Sequence, residues 1–166
     1  MNAIPFPGPF HFLGIGGAGM SPLAEILRAR GQTVSGSDTK ASETTTRLSA
    51  MGVKVFIGHD PRHLAGARCL VWSSAIKESN PEFVEGQARQ IRLVHRGDLL
   101  DALMSPYSRR IAISGSHGKT STTAMVALIL EAAGFDPSVL VGGLLKDSRS
   151  GARTGQGDVF VAEADE

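Results

Sequence analysis

Residues 12–20 read FLGIGGAGM, and how they are read decides the fold. Gly14-x-Gly16-x-x-Gly19 stands between an apolar run, Phe10–Leu13, and a segment with a helical pattern. In a strand–turn–helix the first glycine permits the tight turn and the second lets backbone approach a pyrophosphate. The third lets helix and strand pack closely. The helix N-terminus then offers free N–H groups and a partial positive charge to an anion. An acid is expected about 20 residues further on, at the end of the second strand. Asp38, in SGSD, stands there for a ribose or a base. Strand, helix and acid agree on a phosphate-bearing nucleotide, against a plainer reading of glycines that serve only a tight turn. The motif leaves NAD and a nucleotide sugar both open.

Outward from this loop, short apolar runs alternate with helix-like segments. The runs are Phe10–Leu13, Thr33–Ser35, Val53–Ile57, Cys69–Trp72 and Arg92–His95. Bounded by glycine and polar residues, they read as buried strands of a parallel sheet. The first helix is expected from Gly19 to Arg30, with Pro22 in its first turn and Gly31 ending it. Asn80-Pro81-Glu82 is a helix start: a cap, a first-turn proline and an acid at the positive dipole end. The alternation predicts a doubly wound α/β sheet. It pauses after a short helix, Asp98–Leu103, so 1–104 reads as one domain and 105–110 as a linker. A new strand starts at Ile111, followed by a polar loop and a helix, Lys119–Ala133, closed by Gly134. Two further runs, Ser138–Val141 and Val159–Ala162, complete 111–166. That stretch has little core of its own and reads as an incomplete second domain.

The polar loop is ISGSHGKTS, residues 113–121. It resembles the phosphate loop G-x-x-x-x-G-K-[ST], except that Ile113 stands where the leading glycine belongs. Gly115, Gly118, Lys119, Thr120 and Ser121 lie between a β-branched strand and a helix, as such a loop requires. Backbone N–H groups would surround phosphates, Lys119 would reach the terminal ones, and Thr120 would offer its hydroxyl to Mg²⁺. The alternative is an ordinary polar turn with an incidental lysine. His117, at the crest, is either a phosphate neighbour or a solvated turn residue.

Composition excludes several function classes. The formal net charge of +1 gives no reason to expect nucleic acid or an anionic membrane surface. A single cysteine, Cys69, rules out an intrachain disulfide framework and suits a reducing compartment. The N-terminus lacks a basic region followed by an apolar run, and no apolar stretch is long enough to span a bilayer. A cytoplasmic protein is expected. Cys69 and Trp72 read as core. His11, His63 and His95 are scattered along the chain and suggest no metal cluster.

The two loops in series resemble the Mur ligase family, whose ATP loop, G-[ST]-x-G-K-[ST]-[ST], also lacks the leading glycine. Here it stands as GSHGKTS, Gly115–Ser121. HFLGIGGAGMSPLAEIL, VSGSD, FIGHD, VWSSAIKESNPE, VGG and VFVAEADE extend the resemblance over nearly the whole chain and favour the alanine-adding branch. One stretch departs: after Gly142-Gly143 an asparagine-containing turn is expected, and Lys146-Asp147-Ser148-Arg149 stands there.

The resemblance implies a Rossmann-like UDP-sugar domain followed by the start of a P-loop ATPase domain. It implies ATP and Mg²⁺ as cofactors, and UDP-N-acetylmuramate, ATP and L-alanine as substrates in cell-wall (peptidoglycan) synthesis. The muramate carboxylate would attack the γ-phosphate, and the amine would displace phosphate from the resulting acyl phosphate. Gly14, Gly16, Gly17, Ala18 and Gly19 would hold the UDP pyrophosphate, Asp38 the uridine, and Ser73 and Ser74 the carboxyl edge where ligands enter. The ATP loop would comprise Gly115, Ser116, His117, Gly118, Lys119, Thr120 and Ser121. Lys119 and Glu163 would be catalytic, with Thr120 and Glu163 on Mg²⁺. His59 would touch the uracil or be a surface turn residue, and Asp165 and Glu166 receive no role. As an incomplete enzyme the chain is expected to be inactive alone, and its open strand edges could pair as a homodimer. The competing readings are a stand-alone nucleotide-sugar-binding module and an NAD-dependent oxidoreductase.

Overall fold

The computed structural model describes residues 4–143 and 150–164. Five strands, β1 (Phe10–Leu13), β2 (Val34–Asp38), β3 (Lys54–Ile57), β4 (Cys69–Trp72) and β5 (Arg92–His95), form the first sheet. Their order is β3-β2-β1-β4-β5 and every pairing is parallel. The helices between them are α1 (Ser21–Ala29), α2 (Glu43–Ala50), α3 (Pro81–Ala88) and α4 (Arg96–Met104). Side chains alternate across the sheet, as the pleat requires. Phe10, Phe12, Cys69, Val71 and Val94 enter one core with Leu27 of α1, Leu48 of α2 and Leu99 of α4. Leu13 and Leu70 face the other, with Leu64, Phe83 and the partly buried Trp72 and Leu93. β1 and β4 are buried on both faces, which is why they read as apolar runs rather than as alternating ones, whereas the edge strands β3 and β5 are only partly buried.

Chain order reverses at β1, where β2 and β4 flank it. That is the topological switch point, at whose carboxyl edge ligands enter such sheets. α1 begins at Ser21, later than expected, because Gly17 N–H bonds the Gly14 carbonyl while Met20 and Ser21 N–H bond the Gly17 carbonyl. The Asn80 start holds: its Oδ1 accepts from Glu82 N and Phe83 N at 2.9 and 3.2 Å. α2 had no strong apolar period to announce it. It is started by a reciprocal cap, Ser42 Oγ accepting from Thr45 N and Thr45 Oγ1 from Ser42 N. A 3₁₀ turn, Pro61–Leu64, carries the chain from β3 to β4.

The second sheet contains β6 (Arg109–Ile113), β7 (Ser138–Leu140), β8 (Ala152–Arg153) and β9 (Val159–Glu163) in the order β6-β9-β7-β8. Arg109 and Arg110, read from sequence as the end of the connection, are the first residues of β6. β8 runs antiparallel to β7, and its two residues were too short a signal to find. α5 (Lys119–Ala132) buries Thr123 and Ala127, while Leu128 and Ile129 are 58% and 68% exposed. Among the described residues β6 is an edge strand, paired with β9 alone.

The two sheets share one core. Leu140, Phe160 and Ala162 belong to the cluster built by α1 and α4. Tyr107 lies in the connection, its ring edge-on to Phe160 at 5.1 Å and its hydroxyl 2.9 Å from Ser138 Oγ. Arg30 donates to that hydroxyl from the end of α1. No helix among the described residues is long and apolar enough to cross a membrane.

Candidate functional site

The first glycine loop lies over β1 at the switch point and is packed tightly. Gly14 has φ +71°, a conformation that favours glycine. Gly16 N–H donates to Asp38 Oδ2 at 2.8 Å, and a Cβ on Gly16 would stand 2.9 Å from that same oxygen. A Cβ on Gly19 would stand 2.7 Å from the Arg96 guanidinium. Asp38 therefore braces the loop in this structure, in addition to standing where a ribose acid is expected. A crevice of about 400 Å³ opens here, lined by Gly14, Gly17, Ala18, Gly19, Asp38, Ser73 and Ser74, with Arg96 at its wall. The N-terminus of α1 has no side-chain cap and faces the same loop. Arg96 was missed from sequence. It follows β5 directly, so its position on the carboxyl edge was available once β5 was placed beside β4.

The second loop has a different setting. Gly118 caps α5 with φ +75°, and a Cβ there would meet nothing within 4 Å. Gly115, Ser116, His117 and Ser121 are exposed. Lys119 Nζ donates to the Gly115 carbonyl at 2.9 Å, folding the side chain over its own loop. Thr120 Oγ1 lies 3.0 Å from both carboxylate oxygens of Glu163, 43 residues away in sequence. Glu163 ends β9 beside Ile113 of β6, and Gly142 N–H donates to its Oε2 at 2.6 Å from the end of β7. Three elements thus deliver a hydroxyl, a carboxylate and a backbone amide to one point. The adjoining Gly143 approaches Thr120 so closely that a Cβ would stand 3.0 Å from its methyl.

Two hard oxygen ligands at a helix N-terminus suit Mg²⁺, which keeps several waters or phosphate oxygens of its own. No group of three or more His, Cys, Asp or Glu among the described residues could hold a metal ion. A site made of Thr120 and Glu163 therefore fits a metal carried in with a phosphate ligand. Asp165, Glu166 and Lys146-Asp147-Ser148-Arg149 lie outside the described residues.

The reading of the histidines as scattered is corrected by the fold. His11, His59 and His63 converge on Glu82, which is fully buried at the start of α3; His95 stands apart, in contact with Trp72. Glu82 Oε1 accepts from His63 Nδ1 at 2.6 Å and from Asp60 N–H at 3.3 Å. Oε2 accepts from Ser37 Oγ and from His59 Nδ1, the latter at 3.1 Å. His11 Nε2 lies 3.8 Å from Oε2 and has no hydrogen-bond partner among the described residues. Burial by itself would raise the Glu82 pKa, but contacts from His11, Ser37 and His63 outweigh it and bring the value down to about 2. Period-2 reading places His11 and Ser37 on defined sheet faces, yet nothing in sequence announces that α3 delivers an acid between them.

A family model described as "Mur ligase family, catalytic domain" matches residues 9–108. The chain belongs to the Mur ligase family. It is 50% identical over 169 residues to a UDP-N-acetylmuramate–L-alanine ligase of Phenylobacterium zucineum, covering 100% of this chain and 35% of that protein. The counterpart from Aquifex aeolicus is 48% identical over 157 residues, covering 95% and 34%. Among solved structures, a UDP-N-acetylmuramate–alanine ligase of Thermotoga maritima superposes with a TM-score of 0.87 at 31% identity, covering 93% of this chain and 36% of that one. A murein peptide ligase of Psychrobacter arcticus gives 0.85 at 31%, covering 95% and 37%. The chain spans about a third of the length of these Mur ligases.

Proposed function

We propose that this chain is the substrate-gathering part of an ATP-dependent ligase that joins L-alanine to the carboxylate of UDP-N-acetylmuramate in peptidoglycan synthesis. The first sheet takes the UDP-sugar, and the loop before α5 takes ATP. The observation that carries this reading is the meeting of Thr120, Glu163 and Gly142 N–H beside a phosphate-type loop. The near 50% identity to alanine-adding relatives supports the choice of substrate.

In the first site the glycine loop and the N-terminus of α1 face the pyrophosphate, Arg96 offsets its charge, and Ser73 and Ser74 line the path toward the sugar. Asp38 couples the nucleoside side to the loop through Gly16. In the second, loop N–H groups and Lys119 bind and orient the phosphates; for that, Lys119 must leave the Gly115 carbonyl. Thr120 and Glu163 would hold Mg²⁺, with Gly142 N–H aiming the carboxylate. Bound there, the ion would offset negative charge on the phosphoryl group as the sugar carboxylate forms an acyl phosphate.

The experiment is calorimetric titration of the 166-residue chain with UDP-N-acetylmuramate and, separately, with ATP and Mg²⁺, alongside phosphate release when L-alanine is added. UDP-sugar binding with no ligation is the expected result. Binding of NAD in its place would sink the reading. A second reading, a nucleotide-sugar-binding module without catalysis, is favoured by the solvent-facing second loop and α5. It predicts that ATP with Mg²⁺ leaves no heat signal.

A further inference from the structure

We propose that Glu25, in α1, is a positioning residue for the Thr120–Glu163 site: by holding Ser150 it seats Gly151 against residues 141–143, whose amide aims the Glu163 carboxylate. The inference rests on the reading of that site as the place of Mg²⁺ and the ATP phosphates, and adds what holds it in register. Glu25 is 3% exposed, and its two carboxylate oxygens serve different elements. Oε1 accepts from Arg47 of α2 at 2.7 Å. Oε2 accepts from Ser150 Oγ, just before β8 and 125 residues away in sequence. An ionised carboxylate cannot donate, so the single hydroxyl hydrogen of Ser150 is committed to Glu25. The Ser150 oxygen accepts from Ala152 N–H at 2.9 Å, which fixes the turn around Gly151. An ion pair with Arg47 would use one oxygen alone, and buried charges add little net stability over apolar side chains of the same volume. What the second oxygen adds is a fixed place for residues 150–152.

From there, close contacts run on to the second loop. A Cβ on Gly151 would stand 2.5 Å from Pro22 Cγ of α1, 2.8 Å from the Val141 carbonyl oxygen and 3.0 Å from that of Gly143. The Gly151 carbonyl also accepts from Val141 N–H at 2.8 Å. Gly151 thus presses on one side of residues 141–143. On the other side Gly142 N–H holds Glu163 Oε2 at 2.6 Å, and Gly143 approaches the Thr120 methyl. Backbone and ring atoms packed this tightly cannot swing aside as the end of a long side chain can, so a shift at Gly151 is passed on. A metal-binding carboxylate must be held to within about 0.5 Å of its working position. Its aim here depends on where α1 holds Gly151. The anchor is the helix whose N-terminus faces the first crevice, so one element frames both loops.

The test records ¹H–¹⁵N spectra of the 166-residue chain and of its Glu25→Ala, Ser150→Ala and Arg47→Ala variants. Each is also titrated with Mg²⁺-ATP and with UDP-N-acetylmuramate. The Gly142 amide resonance should move in Glu25→Ala and in Ser150→Ala, and stay in place in Arg47→Ala, where the Ser150 contact survives. Mg²⁺-ATP affinity should fall by about threefold or more in the first two variants, while UDP-N-acetylmuramate affinity holds. A purely structural Glu25 would lower the melting temperature in Glu25→Ala and Arg47→Ala alike and leave Gly142 unmoved in Ser150→Ala. That result overturns the inference, whatever ATP does. Failure of the wild-type chain to bind Mg²⁺-ATP, with the Gly142 shift present, overturns the ATP reading instead and upholds the link from Glu25 to Gly142. Should Glu25→Ala not fold, Ser150→Ala decides alone, because Ser150 is half-buried and lies outside every helix and strand.

Discussion

The two glycine loops follow the same strand–turn–helix plan and differ in what surrounds them. Around the first, side chains press on the backbone: a Cβ would stand 2.9 Å from Asp38 at Gly16 and 2.7 Å from Arg96 at Gly19. Around Gly118 of the second there is open space. Glycine serves close approach in one loop and a left-handed turn in the other. The sheets beneath differ in the same way. The first is covered on both faces, while the second ends at β6, and α5 turns Leu128 and Ile129 to solvent. A phosphate-type turn can therefore keep its local conformation on a scaffold that buries only one side of its helix. Local conformation depends on a few residues, burial on many.

Four measurements would break or sharpen that contrast. The largest effect is expected for Leu27→Ala in α1, where the side chain is fully buried. It should lower the unfolding free energy by about 2–5 kcal/mol in urea titrations. A loss under about 1 kcal/mol would mean that the first core is looser than its packing shows.

Acid titration comes next. The folded Glu82 pKa is depressed from 4.5 to about 2, so its stabilisation is fully present above about pH 4.5. It is lost as pH falls toward 2, and is on the order of 3 kcal/mol in all. The urea midpoint should fall across this window, and Glu82→Gln should flatten that part of the slope. An unchanged slope in the variant would show that other groups carry the acid sensitivity.

Gly118→Ala should cost about 1 kcal/mol, because only the left-handed backbone resists the added methyl. A melting curve checks this, and a much larger loss would mean that the second loop is packed after all. Smallest is Leu128→Ala in α5, 58% exposed, which should change stability by less than about 0.5 kcal/mol. A loss like that of Leu27→Ala would show the α5 face to be covered in solution, and light scattering would then reveal the second chain that covers it.

Much of the frame was legible in the residues. β1, β4 and β5 match their expected runs end to end, and for β1 and β4 the reason is that strands buried on both faces leave an unbroken hydrophobic signature. The Asn80 cap and the glycines after α1 and α5 mark helix limits through local backbone chemistry. β8 and α2 escaped, one too short and the other too polar on average to carry a period. The turns that hold Gly14, Gly16 and Gly19, and Gly118 and Lys119, were recognisable because a strand–turn–helix connection has its residues close together in the chain. Arg96 was not, since its value comes from β5 lying beside β4.

By itself, then, the sequence determined the alternation of strands and helices, the two phosphate-type turns and the resemblance to the Mur ligases. All of these are written in contiguous residues. Tertiary structure alone decided that Thr120 meets Glu163 across 43 residues, that Asp38 braces Gly16, and that three histidines close on Glu82. The reason is physical. Hydrogen bonds and ion pairs act over a few ångströms, and which distant residues come that close is set by strand order and register.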